Sequence, residues 1–115
     1  MTGNTGGGLT ADACLTLLSN AHRRAVLLSI YDRGGNDAGS FAVEEIVSGS
    51  IPPRVEVALN HTHLPKLEDH DAIRWDRDDG TVGPGPAFEE VEPFIDCLED
   101  SSEQLPDDWR SHSDN

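Results

Sequence analysis

The sequence predicts a mainly helical domain with a small β-hairpin, and three observations lead to this class. Apolar residues recur at helical spacing over most of residues 10–69. Residues 77–80 end in the Asp-Gly pair that is typical of a tight hairpin turn. The chain has 115 residues, of which 36% are hydrophobic. This length allows one small globular domain with a modest core and excludes a second large one.

The charge of the chain is strongly acidic. Twenty-two Asp and Glu residues outnumber eight Lys and Arg residues, which gives a formal net charge of −14, and Lys66 is the single lysine. A lysine-poor acidic surface is what we expect of a protein kept soluble in the cytoplasm at molar salt. Because the Debye length at that salt is about 3 Å, an acidic surface does not exclude binding to DNA there.

Two helices are expected to open the domain. A short helix begins after its cap, Thr10, and has one apolar face. A second helix begins at Ser19 or Asn20 and runs to about Arg33. It is apolar over much of its circumference, so it forms the core. The apolar face of the first helix consists of Ala11, Cys14, Leu15 and Leu18.

Two more helices and a hairpin follow. Residues 41–47 predict a third helix that ends at residues 48–50, and residues 53–69 predict a fourth. Pro65 must kink or divide the fourth helix, because proline removes a backbone hydrogen bond to His61. The strands of the hairpin are expected at residues 72–76 and 81–83.

Three helices followed by a hairpin are the plan of a winged helix-turn-helix, especially when the third exposes polar residues beside a leucine face. This fold places one helix in the major groove of DNA and the hairpin, called the wing, against the neighbouring backbone.

Two stretches carry a more specific resemblance. Residues 18–32 (LSNAHRRAVLLSIYD) and 57–76 (VALNHTHLPKLEDHDAIRWD) resemble winged-helix proteins of halophilic archaea, whose signatures are Leu-Ser-x-x-x-Arg-Arg and His-x-His-Leu-Pro-Lys-Leu. They are more distantly similar to ArsR-type regulators. The resemblance covers about residues 10–85 and implies a winged-helix fold and transcriptional regulation. The glycine usual before the wing is replaced here by His70-Asp71.

The side chains expected to contact DNA are those that can bond base edges or phosphates. Asparagine pairs with adenine and arginine with guanine, whereas Lys66 and the wing arginines suit phosphates. The alternative for Arg54 and Lys66 is solvation or pairing with Glu56 and Asp69. The expected set is Arg54, Asn60, His61, Thr62, Lys66, Arg74 and Arg77.

Other polar residues are expected to serve the structure. His63 is expected to be buried or hydrogen-bonded inside the domain. Arg23 and Arg24 either reach a phosphate at a helix start or pair with an acidic neighbour. Cys14 and Cys97 are too far apart to indicate a disulfide framework or a zinc-ligand pair, and we expect both to be small core residues.

An acidic helix beyond the hairpin carries one apolar seam and is interrupted or kinked by Pro93. The seam either pairs with its twin in a homodimer, or packs on its own domain. We favour the dimer, since so small a domain gains from burying a second apolar face. The two helices that enter the major groove, one from each protomer, would then lie about 34 Å apart. The expected dimer residues are Leu9, Leu15 and Leu18 near the N-terminus and Phe88, Val91, Ile95 and Leu98 in the seam.

The expected organisation has four parts. They are a flexible N-terminus (1–8), the winged-helix domain (9–85), the acidic helix (86–100) and a frayed acidic tail (101–115) in which Leu105 and Trp109 can still dock.

Neither an enzyme, a cofactor, a metal site nor a membrane segment is expected. The chain lacks the P-loop, the Gly-x-Ser-x-Gly elbow and the His-Glu-x-x-His motif, and it has no apolar run of spanning length. His61 and His63 would point about 200° apart on a helix, so they cannot both hold one ion unless Pro65 breaks the helix there.

The sequence therefore predicts a dimeric, cytoplasmic winged-helix protein that binds double-stranded DNA and regulates transcription. The alternative is an adaptor whose C-terminal helix docks a basic or apolar protein. The two differ in the surface formed by residues 54–77. Cations free of carboxylates favour DNA, whereas neutralisation by Glu56, Asp69, Asp76 and Asp78 favours the adaptor.

Overall fold

The domain combines five α-helices with a three-stranded antiparallel sheet in the part of the chain that the structure describes. The structure is a computed structural model, and it describes residues 9–50, 62–106 and 109. This confirms the predicted class, and the arrangement is compatible with a winged-helix fold. The elements are α1 (Ala11–Leu18), α2 (Ala21–Asp32), β1 (Phe41–Ala42), α3 (Val43–Ser50), α4 (Leu64–Asp69), β2 (Ile73–Asp76), β3 (Thr81–Pro84) and α5 (Phe88–Asp100), with single 3-10 turns at Gly35–Asp37 and Ser102–Gln104.

The first two helices begin at side-chain caps. Thr10 accepts a hydrogen bond from the Ala13 amide at 3.0 Å, as expected. Asn20, rather than Ser19, caps α2. The buried face of α1 consists of Cys14, Leu17 and Leu18, so the predicted face was wrong at two of its four residues. Ala11 is exposed, and Leu15 is 53% exposed.

The predicted third helix was wrong at both ends. Phe41 and Ala42 form a strand that pairs with Val82 and Thr81 of β3, and the helix begins only at Val43. It continues through Ser50, so residues 48–50 belong to it. The reason for the strand is tertiary, because a two-residue strand exists only where a partner satisfies its backbone groups.

The hairpin is confirmed, and it forms most of the sheet. The strand order is β1-β3-β2, with Trp75 opposite Val82 and Ile73 opposite Pro84. Helix α4 packs against β2. It starts at Leu64 with Pro65 in its first turn, where the missing N–H costs nothing. The preceding part of the predicted fourth helix, 53–61, lies outside the described residues, as does the N-terminus, 1–8.

The turn between α4 and the hairpin keeps the geometry that a glycine would have. Asp71 has φ +62°, in the left-handed region. Its carbonyl accepts a hydrogen bond from the Ala87 amide at 2.8 Å. Gly85 lies so close beneath that a Cβ there would stand 2.8 Å from the backbone of Ile73. The two chain segments therefore meet backbone to backbone.

Helix α5 packs on its own domain. Phe88, Val91 and Ile95 have no exposed surface, and Leu98 is partly buried. This corrects the expectation that the seam is a dimer interface, because its side chains already fill the core beside α1 and α2. Leu18 is likewise buried, and Leu9 packs against the core. Pro93 lies on the exposed side of α5 and does not interrupt it.

The C-terminal segment docks in part. Trp109 is only 9% exposed and Leu105 is partly buried against the core, so the docking expected of these two residues is confirmed. Cys14 is buried as expected, but Cys97 is exposed on α5. No helix in the described ranges has both the length and the apolar character needed to cross a membrane.

Candidate nucleic-acid interface

Four of the seven residues expected to contact DNA lie in the described part of the chain. Thr62 is exposed just before α4, and Lys66 is half-buried within it. Arg74 is exposed in β2, and Arg77 is exposed in the turn of the wing. The other three, Arg54, Asn60 and His61, lie outside the described residues.

Helix α4 is oriented by its two leucines. Leu64 and Leu67 are fully buried at i and i+3, so the rest of the helix faces outward. Lys66 and Glu68 remain partly accessible, and Asp69 is exposed.

The turn of the wing is joined directly to α4. The Nη2 atom of Arg77 lies 3.3 Å from Oε1 of Glu68, and the guanidinium stacks 4.1 Å above the ring centre of Trp75. Both members of the ion pair are partly exposed, so the pair itself contributes little stability. Its consequence is geometric, because it makes α4 and the turn one continuous surface.

The side chain of Arg74 lies on the face of the hairpin that points away from the core. Alternation along β2 directs Ile73 and Trp75 towards the core and Arg74 outward. There it lines a shallow, open depression of about 460 Å³. Its lining consists of Ser40, Arg74, Trp75, Asp76, Arg77, Asp78 and Thr81. Both wing arginines therefore border the same depression, although they approach it from different parts of the hairpin.

Carboxylates are interleaved with the cations of this surface. Arg77 pairs with Glu68, whereas Lys66 forms no ion pair among the described residues, so the alternative pair with Asp69 is not formed. Between residues 64 and 81 the cations are Lys66, Arg74 and Arg77, and the carboxylates are Glu68, Asp69, Asp71, Asp76, Asp78 and Asp79. The surface is thus not a cationic face free of acid.

A buried arginine lies behind this surface. Arg23 is 8% exposed and donates hydrogen bonds to the carbonyl oxygens of Leu17 at 3.1 Å and Thr16 at 2.7 Å. These carbonyls end α1, where backbone acceptors lack partners within the helix. Arg23 thus caps α1, and it forms no ion pair with an acidic neighbour among the residues that the structure describes.

The same guanidinium reaches the start of α4. Its Nη1 lies 3.2 Å from Nδ1 of His63, and the rings of His22 and His63 are 5.6 Å apart. Burial lowers the pKa of His63 below its usual value, and Arg23 and His22 lower it further. The expectation that His63 is hydrogen-bonded inside the domain is confirmed. The Arg-Arg and His-x-His motifs therefore touch, which no local pattern in the sequence indicates.

Metal-ligating side chains do not converge in the described ranges. There, no group of three or more His, Cys, Asp and Glu residues could hold an ion.

Residues 42–83 match a family model described as a domain of unknown function, DUF7344. The matched segment runs from Ala42 in β1 to Gly83 in β3 and so contains α3, α4 and all of the hairpin except Pro84. The similarity to DUF7344 thus covers the candidate interface and leaves out α1, α2 and α5. No match was found among curated proteins or among solved structures.

Proposed function

We propose that the chain binds double-stranded DNA in a sequence-specific manner and regulates transcription as a dimer in a cytoplasm of high salt. The supporting observation is the packing of α4 against β2, which places this helix beside the wing. A helix and a wing held side by side are the two elements with which winged-helix proteins contact DNA. The resemblance to winged-helix proteins of halophilic archaea, and more distantly to ArsR-type regulators, supports the same function.

Each side chain has a role that its chemistry suits. Lys66 and Arg77 contact phosphates, and Arg74 contacts the backbone from the outer face of the wing. Thr62 lies exposed at the start of α4, where it can bond a base edge. The base-reading roles proposed for Asn60, His61 and Arg54 rest on their sequence positions alone.

The interleaved carboxylates make the salt concentration decisive. In dilute salt the net charge of −14 repels a polyanion over tens of ångströms. At molar salt the repulsion is short-ranged, so direct contacts govern binding. The dimer of this proposal uses α1, where Leu15 remains exposed, instead of the seam of α5.

The test is selection of duplexes from a random library by the purified protein in molar KCl, followed by binding titrations across salt. We expect an inverted repeat to be enriched. Lys66→Ala should weaken binding across sequences and reduce the salt slope by about 1, whereas Asn60→Ala should change the preference at one base.

The matched control is Arg33→Ala. Arg33 stacks on Phe41 at the β1 edge of the sheet, and α4 packs at the opposite, β2 edge. Removing this exposed arginine should leave duplex affinity unchanged. No enrichment at any salt concentration at which the protein is folded contradicts the proposal.

The second candidate is a protein-binding adaptor, and the interleaved carboxylates favour it. Glu68 forms an ion pair with Arg77, and Asp76 and Asp78 border the depression beside Arg74. Such a surface suits a partner that is basic or apolar. A folded protein that fails to select any duplex would support this function.

A further inference from the structure

We propose that the hydrogen bond between Arg23 and His63 positions the start of α4, and that protonation of His63 releases it. This rests on the proposed function only where it concerns DNA, because it makes the DNA interface sensitive to pH.

Arg23 is a fixed anchor. Its Nε and Nη2 atoms are held by the carbonyl oxygens that end α1, and Nη2 also lies 3.4 Å from Oγ of Ser19. The remaining nitrogen, Nη1, is directed at His63. Because the guanidinium is bonded to α1 at two atoms, it cannot follow His63 if that residue moves.

The bond requires a neutral histidine. A guanidinium has only donors, so Nδ1 of His63 must accept, and the ring proton must lie on Nε2. A second proton would turn Nδ1 into a donor aimed at another donor. In the described part of the chain, the charged and titratable groups that face this ring are Arg23 and His22, both from α2. Protonation therefore places the new charge beside a permanent cation.

His63 lies in the chain between residues of the candidate interface and the buried start of α4. It directly precedes Leu64, which is fully buried at the start of α4, and directly follows the exposed Thr62. Release of His63 shifts the backbone that carries Thr62 and the first turn of α4. The link therefore lies between the α1–α2 pair and the residues proposed to contact DNA.

The direction of the pH dependence follows from the environment. The pKa of His63 in the folded protein lies below its usual value of 6.5. As the pH falls below 6.5, the unfolded chain takes up the proton first. The contribution of the Arg23–His63 hydrogen bond to the stability of the fold is complete above that pH. It is lost as the pH falls through the lower pKa of His63 in the folded state.

The experiment is an NMR titration of the full-length protein from neutral to acidic pH. It follows the imidazole of His63 and the backbone amides of Thr62 and Lys66. We expect His63 to titrate below 6.5 and the two amides to shift with the same midpoint. A midpoint at or above 6.5, or amides that do not follow it, overturns the proposal.

Two variants separate this link from general effects of acid. His63→Gln retains an acceptor for Arg23 but cannot titrate, so the amide shifts should disappear while the fold is kept. His70→Gln is the matched control at the other end of α4, where Nδ1 of His70 contacts the Lys66 carbonyl at 2.9 Å. It should leave the shifts in place, and their loss would contradict the proposal.

The same series tests the consequence for DNA. At the midpoint, half of the molecules remain competent, so duplex affinity should fall about twofold there and about tenfold one pH unit lower. His63→Gln should abolish this loss. If the protein binds no duplex, the proposed function fails, and the NMR result still decides the link between Arg23 and His63.

Discussion

Arg24 joins two segments of the chain that are 85 positions apart. Its Nε donates a hydrogen bond to the carbonyl oxygen of Trp109 at 3.0 Å, and its Nη1 donates to that of Leu18 at 2.7 Å. The indole of Trp109 in turn donates to Oε2 of Glu99 at 3.2 Å. The C-terminal segment is thereby bound to both the end of α1 and the side of α5.

Truncation of Trp109 should destabilise the fold. Since its side chain is 9% exposed, Trp109→Ala should lower the free energy of unfolding by about 3 kcal/mol. Urea titration followed by circular dichroism measures the loss. Cys97→Ser changes an exposed side chain of α5 and should change stability by less than about 0.5 kcal/mol. Equal effects of the two substitutions would show that the tail does not dock.

The left-handed backbone of Asp71 predicts a rank order of substitutions. Asp71→Val should cost about 1–2 kcal/mol, because a β-branched side chain is strained at φ +62°. Asp71→Gly should be tolerated, since relief of strain offsets the greater entropy of the unfolded chain. Thermal unfolding of the two variants in the same buffer provides the comparison. A valine variant as stable as the glycine variant would contradict this backbone geometry.

The two thiols should react very differently. Cys97 is exposed, whereas Cys14 is buried and its Sγ lies 3.5 Å from the carbonyl oxygen of Glu90. Burial raises the pKa of the Cys14 thiol, and the charge of Glu90 raises it further. In the native protein, a thiol reagent should modify one cysteine. Cys97→Ser should abolish that reaction and Cys14→Ser should preserve it. Rapid modification of the Cys97→Ser variant would contradict the burial of Cys14.

Tyr31 should ionise only at strongly alkaline pH. Its hydroxyl donates to Asp96, and that hydrogen bond, with lesser contributions from burial and from the Asp96, Glu99 and Glu92 charges, raises the pKa of Tyr31 to about 12. The contribution of the Tyr31–Asp96 hydrogen bond to the stability of the fold is complete below the usual tyrosine pKa near 10. It is lost as the pH rises through about 12. Tyr31 is the single tyrosine, so tyrosinate absorbance reports it alone. Asp96→Ala should move the midpoint towards 10, and an unchanged midpoint would show that Asp96 is not the cause.

Glu68 should compete with DNA for Arg77. Its carboxylate lies 3.3 Å from the guanidinium, so Glu68→Gln should free Arg77 for a phosphate. We expect tighter binding to all duplexes and a salt slope steeper by about 1. Salt titrations of the wild type and of Glu68→Gln measure both effects. In the double variant with Arg77→Ala, the gain should vanish, and its persistence would assign the effect to net charge alone.

Elements defined by neighbouring residues could be predicted from the sequence. The cap at Thr10, the core helix α2 and the hairpin with its Asp-Gly turn depend on hydrogen bonds and periodicity within a few positions. Strand β1 could not be predicted, because Phe41 is extended only where β3 pairs with it. The internal hydrogen bond of His63 could be predicted, but its partner could not, since Arg23 is 40 positions away.

The sequence by itself determined the class of the fold, the hairpin and the presence of an apolar seam along α5. The tertiary structure alone decided that the seam faces inward, that Arg23 and Arg24 bond the end of α1, and that Arg77 meets Glu68. The physical reason is that periodicity records which face of a helix is apolar but not what covers it. The partner of a side chain depends on contacts between residues that are far apart in the sequence. These contacts form only when the whole domain packs.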